Sequence, residues 1–139
     1  RATHRATRGA AHRAAEKVVT PGCNASEYAA LRSRGEGNGQ TNLPYIIAHC
    51  RERATKMVGG YIDKRMSKCV MDAMQMLQSP VGDGCALCYA KEGRYVVENC
   101  AMECMFAWCT SGCLQCRAAY RKETDKCIGG DSMEAYICR

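Results

Sequence analysis

Twelve cysteines in a chain of 139 residues constrain this fold more than any other feature. At close to a tenth of the residues, they fall in the range that marks a disulfide scaffold in an oxidising compartment. The even count permits six bridges, although zinc sites also consume cysteines in even numbers. The candidates are Cys23, Cys50, Cys69, Cys85, Cys88, Cys100, Cys104, Cys109, Cys113, Cys116, Cys127 and Cys138. Crosslinks answer a real need. The chain has one Phe, one Trp and 8 Met, so its apolar inventory leans on small or loosely specifying side chains. A globule of this length is one domain that can bury about two-thirds of its unfolded surface, and bridges supplement what the thin core cannot hold.

Hydrophobic periodicity points to an all-α fold. Between Asn42 and Pro80, apolar residues recur at helical spacing from Leu43, Ile46, Ile47 and Cys50 through Met66, Val70, Met74 and Leu77. Asn42 is the expected N-cap, with Pro44 in the first turn. Gly59-Gly60 predicts a kink or break, and Ser79-Pro80 a stop. "SPVGDGCALCYAKEGR" reads as turn-rich, with a second helix from Arg94 to about Lys122 and a Gly-Gly turn before a crosslinked tail. No strand is expected. The architecture is a disulfide-stapled antiparallel helical hairpin or small bundle with an extended N-terminal arm. Residues 1–41 form a basic arm and Gly-rich loop, and residues 42–139 the cysteine-rich helical domain.

On a continuous second helix the five cysteines of "CAMECMFAWCTSGCLQC" form two stripes on opposite faces. Cys100 and Cys104 lie on one face, and Cys109, Cys113 and Cys116 on the other. Thr110-Ser111-Gly112 is the weak point of that construction. If the hairpin turns near residue 86, Cys69 faces Cys104, the best single pair. Cys50 lies within reach of Cys116 or Cys127, and Cys127 and Cys138 bridge back to the second stripe.

The candidate chemical sites each have a plainer competitor. Cys85, Cys88, Cys100 and Cys104 spell two close pairs that would suit tetrahedral zinc, and bridges are the alternative. No metal is favoured, and zinc is the one cofactor considered. Cys85 and Cys88 are spaced like a redox pair but follow no βαβ pattern. Cys109, Cys113 and Cys116 resemble the cluster motif of radical S-adenosylmethionine enzymes, a family whose barrel of strands is missing here. Met71, Met74 and Met76 are soft copper ligands by type, but they do not share a face. His4, His12 and His49 do not cluster, no Ser/His/Asp arrangement can be assembled, and "NAS" at 24–26 is a chance-level glycosylation triplet. No catalytic residue is assigned, and the chain is not expected to be an enzyme.

Charge and tone then suggest company. The net charge of +6 sits on the N-terminal half, and the first seventeen residues carry four Arg and one acid. That stretch resembles an organellar transit sequence or its junction, and equally a basic arm lying on a partner. Paired cysteines on a helical hairpin resemble the twin-cysteine proteins of the mitochondrial intermembrane space, with different spacings. The Arg/Ala/Met/Cys-rich composition resembles nuclear-encoded organellar proteins of algae and protists with complex plastids. The expected function is therefore a non-catalytic structural accessory subunit of a large organellar membrane complex. The favoured setting is the thylakoid lumen, on a photosynthetic complex such as photosystem I. Alternatives are a respiratory-chain or ATP-synthase accessory subunit, a zinc-binding organellar ribosomal protein whose basic arm contacts RNA, and a secreted cysteine-rich effector or inhibitor. Partners would be protein subunits, since no apolar run reaches the length of about 18 residues that a membrane span needs.

Overall fold

A computed structural model describes residues 18–56 and 60–138. The basic arm expected at residues 1–17 lies outside these. The remainder is mostly helical, with one two-stranded ribbon.

Helix α1 (Ala25–Ser33) begins with a reciprocal capping box. Asn24 Oδ1 accepts from the Glu27 amide at 2.8 Å, and the Asn24 amide donates to Glu27 Oε1 at 2.9 Å. The second Glu27 oxygen accepts from the Gly82 amide at 2.7 Å, at the start of α4 (Asp83–Asn99). One carboxylate therefore serves the N-termini of two helices, where its charge also complements their dipoles. Leu31 carries α1 into the core, so residues 18–41 belong to the folded body even though the sequence joined them to the arm.

Asn42 precedes α2 (Leu43–Ala54), but its side chain turns away from the helix. It accepts from the Gly39 amide and donates to the Arg34 carbonyl, both at 2.9 Å, bracing the Gly-rich loop instead. Gly35 and Gly37 sit at φ +75° and +109°, which only glycine adopts without strain.

The long helix expected from Leu43 to Leu77 is two helices. Thr55–Lys56 (β1) and Gly60–Tyr61 (β2) pair as an antiparallel ribbon between α2 and α3 (Asp63–Met76). Gly60, at φ +83°, takes the left-handed backbone that lets the chain reverse here, where a kink would have kept its direction. The apolar stripe survives it, because Ile46, Ile47, Cys50, Met66, Val70 and Met74 all face the same core.

Helix α4 starts well before Arg94, in the stretch read as turn-rich. Its glycines mark close packing and not turns. A Cβ at Gly84 would stand 2.9 Å from the Thr20 carbonyl, and one at Gly93 would strike the Tyr61 ring. The helix also stops early, at Asn99. The chain then loops to α5 (Ser111–Ala118), where Thr110 is the N-cap and accepts from the Cys113 amide at 3.2 Å. Helix α6 (Arg121–Ile128) ends on Gly129 at φ +93°, the left-handed position that terminates helices. The tail returns to the Gly-rich loop: the Tyr136 amide and carbonyl bond both ends of the Asn38 amide at 2.8 and 2.7 Å.

All twelve cysteines are bridged: Cys23–Cys85, Cys50–Cys69, Cys88–Cys127, Cys100–Cys116, Cys104–Cys113 and Cys109–Cys138. The Cys69–Cys104 pairing expected from a simple hairpin is wrong, because the break between α2 and α3 brings Cys69 to Cys50. Cys50 for the same reason reaches neither Cys116 nor Cys127. Of the bridges expected from the C-terminal cysteines to the second stripe, Cys138 makes one, to Cys109, and Cys127 instead joins Cys88 on α4.

Candidate functional site

The break after Asn99 creates the most distinctive surface of the molecule. Two bridges nest across it, Cys100–Cys116 outside Cys104–Cys113, with Cα separations of 5.9 and 4.6 Å. The third, Cys109–Cys138, ties the descending side of the loop to the tail, reinforced by a 2.8 Å hydrogen bond from the Cys138 amide to the Cys109 carbonyl. Nesting C-x3-C with C-x2-C folds residues 100–116 back on themselves, which one continuous helix could not do.

On this clamped loop stand three large apolar side chains in water. Phe106 is 93% exposed, Met102 79% and Met105 64%. The only phenylalanine of the chain is thus spent outside a core that is short of aromatic area. Single exposed hydrophobics are ordinary, but three within five residues, on a backbone pinned by bridges, form a patch of the kind that marks an interaction site.

Behind the loop lies a groove of about 490 Å³. Its apolar walls include Ala48 of α2, Val96 and Val97 of α4, and Met105, Phe106 and Trp108 of the loop. The Trp108 indole packs edge-on against Tyr45 at 6.4 Å, and Tyr45 in turn stacks on His49 at 5.2 Å. Arg51, Glu52 and Lys56 supply the charged part of the lining.

Arg51 belongs to a buried network that the sequence did not reveal. It lies 3.6 Å from Glu92 Oε1, and Arg117 reaches the same carboxylate at 3.4 Å. Two guanidinium groups therefore share one carboxylate. Burial, and then the neighbouring Arg117, push the Arg51 guanidinium down to about 10, against the pull of Glu92. It stays charged at neutral pH, yet among the described residues Arg51 Nη1, which faces Glu92 Oε1 at 3.6 Å, and Arg117 Nε and Nη1 find no hydrogen-bond partner. Nearby, burial and then the Asp63 and Glu92 charges raise the Tyr61 phenol, whose hydroxyl donates to the Ala90 carbonyl at 2.8 Å. Burial, followed by Glu92, raises Tyr89 as well.

The metal and redox candidates are dispersed. Cys85, Cys88, Cys100 and Cys104 belong to four different bridges, to Cys23, Cys127, Cys116 and Cys113, so their sulfurs are not free thiolates in this fold. Cys85 and Cys88 are likewise not bonded to each other. Cys109, Cys113 and Cys116 each have a separate partner. Met74 is buried, Met71 is partly buried and Met76 is exposed. Among the described residues no group of three or more His, Cys, Asp or Glu is placed to hold a metal ion, and no helix is long and apolar enough to cross a membrane. His4 and His12 lie outside the described residues.

Comparison with protein families, with curated proteins and with solved structures found no match to this chain. The class that fold and surface define is a small, six-bridged, all-helical protein of an oxidising, non-cytosolic environment.

Proposed function

We propose that this chain is a non-catalytic structural accessory subunit that docks onto a large membrane complex through the loop at residues 100–110. The observation that carries the reading is the exposure of Met102, Met105 and Phe106 on a loop fixed by three bridges. A flexible apolar loop would lose much of its contact energy to ordering on binding, at about 0.5–1.5 kcal/mol per immobilised side chain. Here part of that ordering already belongs to folding.

The bridges favour an organelle lumen or another oxidising space over the cytosol. Within that, the Arg/Ala/Met/Cys-rich composition supports the lumenal side of a photosynthetic complex such as photosystem I. A respiratory-chain or ATP-synthase complex is the next host. The secreted effector or inhibitor is the runner-up from another class, because six bridges serve such a protein equally well.

Native purification from source, with a photo-crosslinking phenylalanine analogue placed at position 106, tests the reading. Co-migration with a pigment-bearing membrane complex and a crosslink to one of its subunits is the expected result. Recovery of a free monomer from the surrounding medium would overturn it in favour of the secreted protein.

A further inference from the structure

Resting on that reading of the loop, we infer that the groove between α2, α4 and the loop receives a partner polypeptide segment bearing a carboxylate among apolar side chains, with Arg51 and Lys56 as its charged anchors. Three observations converge on this chemistry. The groove is apolar along most of its length, with Val97, Met105, Phe106 and Trp108 among its walls, so it suits aliphatic or aromatic side chains. Its lining holds two cations, Arg51 and Lys56, against one carboxylate, Glu52, which leaves a positive balance. Arg51 is also only 6% exposed, and its Nη1 stands 3.6 Å from Glu92 Oε1, a carboxylate it shares with Arg117, so one positive charge of the pair is left uncompensated behind the groove.

A surplus buried charge is costly. A carboxylate entering beside Lys56 and the Arg51 end of that network supplies the missing negative charge. It forms a charge-assisted hydrogen bond in a site the partner's own apolar residues have dried. A bilayer would take the projecting Phe106, but its headgroup phosphates lie outside a recess in which Arg51 is only 6% exposed. A segment of protein meets both.

The test uses the oxidised chain and a phage-displayed library of random 12-residue peptides, followed by titration of the selected peptides. Trp108, the only tryptophan, lines the groove, so its emission reports occupancy. Selected peptides are expected to share one Asp or Glu flanked by aliphatic or aromatic residues. Replacing that acid by its amide should weaken binding about tenfold, as should Lys56→Glu on the exposed ribbon, and the affinity should fall with added salt. Arg51→Met should weaken it further, and Lys56→Glu keeps the question open to test if that buried variant does not fold.

Selected peptides that lack an acid, or acid-to-amide changes without effect, overturn the inference. If Phe106→Ala still weakens those peptides, the reading of the loop survives. If Phe106→Ala leaves binding unchanged, both fall. Failure to enrich any peptide, or a Trp108 shift produced only by phosphatidylcholine–phosphatidylglycerol vesicles and abolished by Phe106→Ala, also overturns the protein segment, the second result in favour of a membrane surface.

Discussion

Gly93→Ala is the substitution whose sign is least obvious and most informative. In an exposed helix, replacing glycine by alanine stabilises by about 1 kcal/mol, because the unfolded chain has less freedom to lose. Gly93 lies in the middle of α4, so propensity alone predicts a gain. The structure predicts a loss. A Cβ there would collide with the Tyr61 hydroxyl and stand 2.8 Å from Cζ and 3.0 Å from Cε1 of the same ring. Tyr61 cannot swing away cheaply. It is buried, it donates to the Ala90 carbonyl at 2.8 Å, and its backbone is one side of the ribbon that separates α2 from α3. Overpacking costs about 1–3 kcal/mol and the stranded phenol about 1–3 more. After the propensity gain, the net expectation is a destabilisation of about 1–5 kcal/mol. Guanidinium unfolding of the oxidised protein, followed by far-UV circular dichroism, measures it. Gly112→Ala is the control, since nothing lies within 4 Å of its added Cβ; it should be neutral or stabilise by up to about 1 kcal/mol. Gly93→Ala in a Tyr61→Leu background should lose most of its cost. A neutral or stabilising Gly93→Ala in the native background would refute the close approach of Tyr61 to α4.

Other outcomes follow from the bridges and the buried phenols. Alkylation in denaturant without reductant should modify no cysteine, with or without chelator, and after reduction all twelve. Reaction released by chelator alone would contradict the crosslinked state. Chain-entropy reasoning ranks the bridges. Removing Cys23–Cys85, which spans 62 residues, should cost about 4 kcal/mol, and removing Cys104–Cys113, which spans 9, about 3 kcal/mol, both read from unfolding midpoints. Tyr61 and Tyr89 have folded pKa values raised above the unfolded value, so their contribution is intact below about pH 10 and declines as pH climbs toward the folded values. Native-state absorbance at 295 nm should show both phenols still protonated after the more accessible tyrosines have ionised. A complete tyrosine step near pH 10 without unfolding would be inconsistent with their burial.

Much of the fold was legible because helical periodicity is a local signal. The stripe from Leu43 to Leu77 is the real core face, and its members stay together even though the helix carrying them is divided. Gly59-Gly60 marked the place of the division but not its kind, since a kink and a two-residue ribbon begin from the same glycines. The α4 boundary was misplaced because Gly84 and Gly93 look like turn residues in sequence. They are helical for reasons supplied from afar: the Thr20 carbonyl, the Tyr61 ring, and the Glu27 carboxylate at Gly82. The pairing of cysteines failed at the same point. Facing positions on a straight hairpin do not hold for helices that are divided at residues 55–61 and again after Asn99. The exposed apolar loop was hidden in plain view, because the helical pattern of "CAMECMFAWC" continues across residues that the nested bridges hold in a loop. Nothing local pairs Arg51 with Glu92 and Arg117, so that network was unreadable before the helices were placed.

The connectivity also fixes an order of assembly. Cys104–Cys113 and Cys100–Cys116 join residues close in sequence, whereas Cys109 must wait for Cys138, 29 residues further on. A chain threaded into an oxidising space amino end first can close the inner two staples while translocation continues. The third must await the tail. Acid-quenched oxidation intermediates should therefore retain Cys109 and Cys138 as late free thiols, and a species with that bridge formed first would contradict the sequence of events. The loop that carries Met102, Met105 and Phe106 would then become rigid only after the tail has arrived, so that its exposed apolar surface takes its final shape late in folding.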